Sequence, residues 1–420
     1  MKKLLVLGSN FGSTEIVKRA KERDIYTIVT DYYDKSKSNA KMFCDECWDI
    51  SITETEKLAE ECIKQGVDAV ICGVSEFSSE MTFKLCDRLG LPKYCSWESW
   101  EYARNKRKFK DLCIKNSVPV AFDYFINDIN DEEIINAIEF PVVVKPVDCG
   151  GNVGVSICDD VDELKKAFVK AQEVTSHKET IICERKLEGE EFAAIYALAE
   201  GEASLISLFA MHCKDGEPTN CYSLDVTVTG KLEDYLKQID PHIKKVFKEA
   251  GFKEGLVWIE VMTDKNQHMH VLETGYRLPG GMIPYTFERV CGFNAIDWYI
   301  DCFMGIKHRK EDLPVPQNAE YSKYGVSYLI WNNKPGIIKE IKGLDFIEKK
   351  FEKKEDFLVD FIRKPGYDLP PYSLMGEIMF VTDSKQDTVD VLNIINNSIG
   401  VFGLDGEDVM IHFDNYYKIA

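Results

Sequence analysis

The sequence predicts an α/β fold that passes into an α+β one. A doubly wound parallel sheet comes first, then a large mixed or antiparallel sheet, then a small C-terminal α/β unit. Three observations predict it. Apolar strands alternate with amphipathic helices through the first ninety residues; residues 191–275 are mainly β with one helix inserted; and the tail from about 308 holds several strands, turns at "KPG" and "PPYS", and a helix near "KQDTVDVLNII". At 420 residues the chain exceeds one ordinary core, so several domains are expected.

The elements follow in order. "KKLLVLG" is a strand, "STEIVKRAKERD" a helix and "IYTIVTD" a second strand. "TETEKLAEECIKQG" is a helix whose Thr53 and Glu56 have capping-box spacing, "VDAVICG" a strand and "SSEMTFKLCDRLG" a helix. Such alternation describes a parallel sheet covered on both faces. "LPKYCSWESW" breaks the rhythm and puts a boundary near residue 95. Residues 99–117 are expected to be helical and carry Lys106, Arg107, Lys108 and Lys110. "FPVVVKP" is a buried strand, "VDELKKAFVKAQEV" an amphipathic helix and "ETIICERKL" a strand. The strands "EFAAIYALAEG", "EASLISLFAMHC", "GLVWIEVMTD" and "HMHVLETG" follow, with a helix over about 234–250 between the second and third. The expected division is 1–95, 96–307 and 308–420, with no internal repeat.

Composition narrows the function. There are 71 acidic against 52 basic residues, a net charge of −19, which repels a nucleic-acid backbone or an anionic membrane at long range. The apolar run in "MKKLLVLGSNFGS" is too short for a signal peptide and reads as a buried first strand. No run has the length of a membrane span. Fourteen cysteines are scattered, many inside apolar runs, as expected of reduced, buried side chains in the cytoplasm. Cys44 and Cys47 have CxxC spacing without a second pair.

Four stretches could carry chemistry. In the hairpin "GLVWIEVMTDKNQHMHVLETG", a turn centred between Asn266 and Gln267 sets Glu260 opposite Glu273. Two unit charges ~5 Å apart at an effective dielectric of about 20 repel by about 3 kcal/mol. A proton, an arginine or a divalent cation would relieve that, and magnesium suits paired carboxylates beside substrate phosphates. A register slip of one residue would instead put the two glutamates on opposite faces. In "VVVKPVDCGGNVGVS", Lys145 closes a buried strand before a glycine-rich loop, which can close backbone N–H groups around an anion or form an ordinary turn. In "ICERKLEGEEF", Glu184 ends a strand and Glu191 follows seven residues on; a nucleotide's base and ribose, or solvent, could meet this stretch. In "GSNFGS", Asn10 and Ser13 stand where a dinucleotide fingerprint needs glycine, although Asp31 closes the next strand. A Rossmann-type oxidoreductase is an alternative that rests on the N-terminal βαβ pattern.

Taken in order, a lysine, a strand lysine with glycine loop, Glu–x6–Glu, and Glu–x12–Glu followed by arginine resemble the ATP-grasp superfamily, carboxylate–amine ligase type, over nearly the whole chain. The resemblance implies a pre-ATP-grasp domain at 1–95, an ATP-grasp domain at 96–307 with a glycine-loop lid over about 115–187, and a C-terminal ligase-type domain at 308–420. It implies ATP and Mg2+. Lys106 and Lys145 would hold ATP phosphates under the loop containing Gly150, Gly151, Gly154 and Ser156. The segment Glu184 to Leu187, with Lys186, would read adenine, and Glu191 the ribose. Glu260 and Glu273 would bind magnesium. Arg277 would face the transferred phosphoryl group, with Gly280 and Gly281 as backbone donors.

The implied activity is ADP-forming ligation of a small carboxylate to an amine through an acyl phosphate. Homodimers are common in the superfamily. The family pattern Glu-x-Asn-x-Arg reads here Glu273-Thr274-Gly275-Tyr276-Arg277, which removes one metal-ligating side chain. A nucleotide-binding protein without turnover, acting as sensor or partner subunit, is the alternative that this departure supports. Tyr222, Asp225, His212, Lys214 and Tyr285 lie in segments that could line an acceptor pocket, while His268 and His270 are expected on the turn and the outer face of the hairpin.

Overall fold

A computed structural model describes the chain except residues 11, 127, 152, 179, 218–220, 281, 282, 316–320 and 322. The N-terminal strands β1 (Lys3–Leu7), β2 (Tyr26–Thr30), β3 (Glu46–Trp48) and β4 (Ala69–Cys72) form a parallel sheet in the order β3-β2-β1-β4. Leu4 to Leu7 and Ala69 to Cys72 are fully buried, as continuous apolar strands between two helical layers must be. Helix α1 (Ser13–Glu22) connects β1 to β2 and α2 (Thr55–Gln65) connects β3 to β4, while α3 (Glu76–Leu89) follows β4. The capping box expected from Thr53 and Glu56 does not form. Helix α2 starts two residues later, and the Thr53 hydroxyl pairs with that of Ser51 at 2.9 Å. Asp31 meets no ligand loop either; Ser38 donates to it at 2.7 Å and Lys41 lies 3.1 Å away.

The single helix expected over 99–117 is two, α4 (Trp97–Arg104) and α5 (Lys106–Lys115). Asn105 has an extended backbone between them, and its side-chain oxygen accepts from Lys108 N at 3.1 Å. That break puts Lys106 in the first turn of α5 rather than mid-helix. After α6 (Glu132–Asn136), strands β5 (Val142–Pro146), β6 (Ser156–Cys158) and β7 (Ile181–Arg185) form an antiparallel sheet, order β6-β5-β7, backed by α7 (Val161–Val174).

The largest sheet contains β8 (Glu191–Ala199), β9 (Glu202–Cys213), β10 (Tyr222–Val226), β11 (Gly255–Thr263) and β12 (Met269–Gly275). The helix expected over 234–250 is divided into α8 (Leu232–Gln238) and α9 (Asp240–Glu249). Pro241 stands at the start of α9; proline supplies no N–H to a preceding turn but fits a first turn. Helices α10 (Ile283–Cys291) and α11 (Ala295–Met304) follow.

The tail adds β13 (Tyr324–Trp331), β14 (Gly336–Lys342), α12 (Leu344–Phe351), β15 (Phe357–Phe361), β16 (Asp368–Leu369), β17 (Leu374–Thr382), α13 (Lys385–Ser398) and β18 (Gly400–Gly403). Three of its strands extend the large sheet to eight, in the order β12-β11-β8-β9-β10-β13-β17-β15. A three-stranded sheet, β16-β14-β18, stands beside it.

Candidate active site

One cavity of about 1100 Å3 lies against a face of the large sheet. Its walls come from β5, the segment Glu184–Gly189, Glu76 of α3, and Leu329, Trp331 and Tyr372 of the tail. The sheet register fixes its floor. Glu273 is opposite Glu260, Glu260 opposite Ala193, and Ala193 opposite Phe209. Two residues along the same face runs a second row: Met262, Glu191, Met211, Asp225 and Ser327.

Glu260 and Glu273 do face each other, by a route the sequence did not indicate. Near the turn the pairs are Thr263–Met269 and Met262–His270, a register that would carry Glu260 opposite Leu272. A β-bulge at Leu272 takes up that residue, so Val261 pairs with Val271 and Glu260 with Glu273. The turn itself is closed by Asp264, whose Oδ1 accepts from Asn266 N at 2.8 Å and His268 N at 2.9 Å.

The two carboxyls differ in electrostatics. Burial would raise that of Glu273, but Lys106 Nζ at 2.9 Å, with Lys145 and Arg277, holds it below its ordinary range. Burial, reinforced by Glu273 and Glu191, pushes Glu260 well above its ordinary value. Among the described residues no cation or hydrogen-bond donor pairs with the Glu260 side chain. Two carboxylates on one face, one already charge-balanced, offer hard oxygen donors for one divalent ion that takes its other ligands from water and phosphate.

Gly275 supplies no third donor, and its neighbour shows why. Trp258 is the Cα partner of Gly275, and a Cβ built on the glycine would lie 2.5 Å from indole Cζ2 and closer to Cε2 and Nε1. The indole occupies the space a side chain would need. Thr274 points elsewhere, donating to Trp258 O at 2.8 Å. Arg277 lies with its guanidinium carbon 5.1 Å from the Trp258 ring centroid. Its Nε donates to Glu76 Oε1 at 2.6 Å and its Nη1 to Leu278 O at 2.7 Å.

Lys106 and Lys145 both line the cavity. Lys106 Nζ also donates to Cys149 O at 2.8 Å, which ties α5 to the glycine loop. Lys145 is ion-paired to Glu184, which also accepts from Lys110 Nζ at 2.7 Å. Burial would raise the Glu184 carboxyl, and the two lysines bring it below its ordinary value. Lys186, Leu187, Gly150, Gly151 and Gly280 line the cavity. Gly154 and Ser156 do not: Gly154 packs so closely that a Cβ would meet Val174 at 2.6 Å, and Ser156 Oγ accepts from Lys170 Nζ at 3.2 Å. Gly281 lies outside the described residues. Glu191 accepts from Tyr222 Oη at 2.6 Å, and burial, with Glu273, pushes its carboxyl up to about 7 against the effect of that hydrogen bond and of Lys145.

Of the acceptor-pocket candidates, Tyr222 and Asp225 line the cavity. The other three are engaged elsewhere: His212 stacks on Phe413, Lys214 Nζ donates to His412 O at 2.7 Å, and Tyr285 Oη to Glu355 O at 3.1 Å. Glu76 and Trp258 were not singled out from the sequence, and Lys110 only as one of several basic residues on the 99–117 helix. Each acts across a sequence separation that local pattern does not report. Cys44 and Cys47 carry free thiols with their sulfurs 3.4 Å apart. Among the described residues no helix is long and apolar enough to cross a membrane.

Residues 138–284 match the family model of the ATP-grasp domain. The 2-oxoglutarate carboxylase small subunit of Hydrogenobacter thermophilus is 20% identical over 333 residues, 74% of this chain and 69% of that one. The formate-dependent phosphoribosylglycinamide formyltransferase of Bacteroides fragilis is 26% identical over 170 residues, 40% of this chain and 43% of its own length. Among solved structures, an L-amino acid ligase from Bacillus licheniformis superposes with a TM-score of 0.75 at 18% identity, covering 96% of this chain and 99% of that one. At such identity the likeness is one of fold.

Proposed function

We propose that the chain is an ATP-grasp protein and an ADP-forming carboxylate–amine ligase, on the match of residues 138–284 to the ATP-grasp domain and the likeness of fold along nearly the whole length. Residues 1–95, 96–307 and 308–420 are its three domains in this reading. The observation that carries the proposal is the convergence at one end of the cavity of Glu260, Glu273, Lys106 and Arg277, beside the glycine loop. The similarity to a solved L-amino acid ligase supports an amino acid or other small carboxylate as substrate.

In the first step a carboxylate oxygen of the substrate attacks the γ-phosphorus of ATP and ADP leaves, which gives an acyl phosphate. In the second a neutral amine attacks the acyl carbon; inorganic phosphate departs with the C–O bonding pair, and the nitrogen loses a proton to give the amide. Little covalent work falls to the protein, so positioning and charge neutralisation dominate. Lys106 and Lys145 hold the phosphates, and opening their pairs with Glu273 and Glu184 lets them do so. Gly150 and Gly151 approach with bare backbone. The segment Glu184 to Leu187 meets the base and Glu191 the ribose. Glu260 and Glu273 would hold Mg2+, which would supply Lewis-acid polarisation of the transferred phosphoryl group. Arg277 faces the same group and the acyl phosphate, and closure of the lid keeps water from that intermediate.

Oxygen transfer tests this route. With 18O in the substrate carboxylate, one labelled oxygen is expected in the released phosphate for each amide formed. Unlabelled phosphate beside a labelled amide would overturn an acyl phosphate.

A further inference from the structure

The cavity continues past the region assigned to nucleotide. Asp225 lies on β10, three strands from Glu260 across the same sheet face, about 14 Å at ~4.8 Å per strand. It lines the cavity at 6% exposure, and among the described residues its buried Oδ1 has no hydrogen-bond partner. Buried carboxyl oxygens ordinarily have partners, and an unpaired one is costly.

The donors around it are committed elsewhere. Ser327, its partner on β13, donates to Glu377. Tyr222 Oη donates to Glu191 at 2.6 Å, and Trp331 Nε1 to Tyr222 O at 2.6 Å. Burial, then the charges of Glu377 and Glu191, holds the Asp225 carboxyl well above its ordinary range. Lys106 and Lys145 are engaged with Glu273 and Glu184 at the other end. Between the two ends Phe209 and Met211 of β9 give the cavity an apolar wall beside Glu191 of β8, and Leu329 of β13 lines it beyond Asp225.

We propose that Asp225 anchors a protonated amine at the non-reacting end of the substrate, whose apolar chain lies along Phe209 and Met211. The ligase reading enters only in setting the reacting carboxylate near Glu260 and Arg277. An incoming ammonium gives the orphaned carboxyl its missing partner and lets it ionise. The substrate class is an elongated amino-carboxylate with a cation up to about three strand spacings from its reacting end.

The test is equilibrium binding of diaminopentane and of pentanediol, its neutral analogue, by calorimetry in the presence of Mg2+ and a non-hydrolysable ATP analogue. The diamine is expected to bind wild type and to bind Asp225→Asn about tenfold more weakly or worse, the loss of a charge-assisted pair. Pentanediol is expected to bind wild type correspondingly weakly. In Met211→Lys the new ammonium stands opposite Asp225, so the diamine is expected to be excluded; this variant decides the matter if Asp225→Asn does not fold.

Equal binding to wild type and Asp225→Asn, equal binding of diol and diamine, or no diamine binding at about 10 mM would overturn the proposal. Failure of the ATP analogue alone to bind would count against the ligase reading, while diamine binding would still decide the role of Asp225.

Discussion

The indole of Trp258 lies across Gly275, its cross-strand partner, in the space that any side chain at 275 would occupy. The same ring faces the Arg277 guanidinium at 5.1 Å. The departure from the family's Glu-x-Asn-x-Arg pattern is therefore half of a packed pair, with the glycine making room for the tryptophan that supports the arginine.

Restoring the family residue should accordingly harm the protein. Gly275→Asn drives a side chain into the indole and is expected to cost about 1–3 kcal/mol of stability, as overpacking generally does. Combining it with Trp258→Ala should recover part of that loss, a favourable coupling of about 1 kcal/mol or more in a double-mutant cycle. Urea unfolding of the four proteins measures it. No loss in the single variant would mean that the pair is not close-packed.

Arg277 is held from a different part of the chain. Glu76, at the start of α3, accepts its Nε at 2.6 Å. Glu76→Ala frees the guanidinium to leave its position and should lower kcat by about 10–100-fold, with a smaller effect on KM for ATP. Glu76→Gln keeps an acceptor and should retain most of kcat. A pure KM effect would show that Glu76 assists binding rather than aiming Arg277.

The triad of Lys110, Glu184 and Lys145 is a buried charge cluster with side chains 10% exposed or less. Removing one cation leaves Glu184 under-compensated. Lys110→Ala is expected to destabilise by about 3–5 kcal/mol, the usual cost of breaking a buried pair. Because the lysines hold Glu184 below its ordinary range, the stability they confer is present at neutral pH and lost as pH falls below that range. The deficit of Lys110→Ala should therefore shrink in acid; a constant deficit from neutral pH to strong acid would argue for lost packing instead.

Glu191 has the opposite sign. Its folded carboxyl is pushed up to about 7 from an ordinary 4.5, so below 4.5 both folded and unfolded chains carry the proton. Between 4.5 and about 7 the unfolded chain releases it first, and stability falls as pH rises through that window. Glu191→Gln keeps an acceptor for Tyr222 and abolishes the titration. Its melting temperature should match wild type at acid pH and exceed it by a few degrees at alkaline pH, in protein without nucleotide. Parallel profiles for the two proteins would contradict the shift.

Much of this was legible in the sequence because it is written in short-range pattern. Continuous apolar strands gave the parallel sheet, and spacing brought Glu260 and Glu273 together. Even there the reason differed, since a bulge at Leu272 restores a register that the turn alone would have lost. A bulge depends on how two strands twist on their neighbours, which no single strand announces. The break at Asn105 was missed because its flanks are good helix formers, and only the cap on Lys108 reveals it. The site was half legible. Lys106, Lys145, Glu273 and Arg277 appear as residues in order, whereas Glu76, Lys110 and Trp258 act as their partners across the fold.

The central claim, ADP-forming ligation at this site, is tested most directly by following ADP and phosphate release from Mg-ATP with pooled amino acids and small carboxylates. Glu273→Ala is the control, and nucleotide binding is measured alongside. The account predicts release that depends on a pool, yields ADP and phosphate in equal amounts, and disappears in Glu273→Ala. Wild-type protein that binds no ATP, or release that is indifferent to both the pools and Glu273, would contradict it.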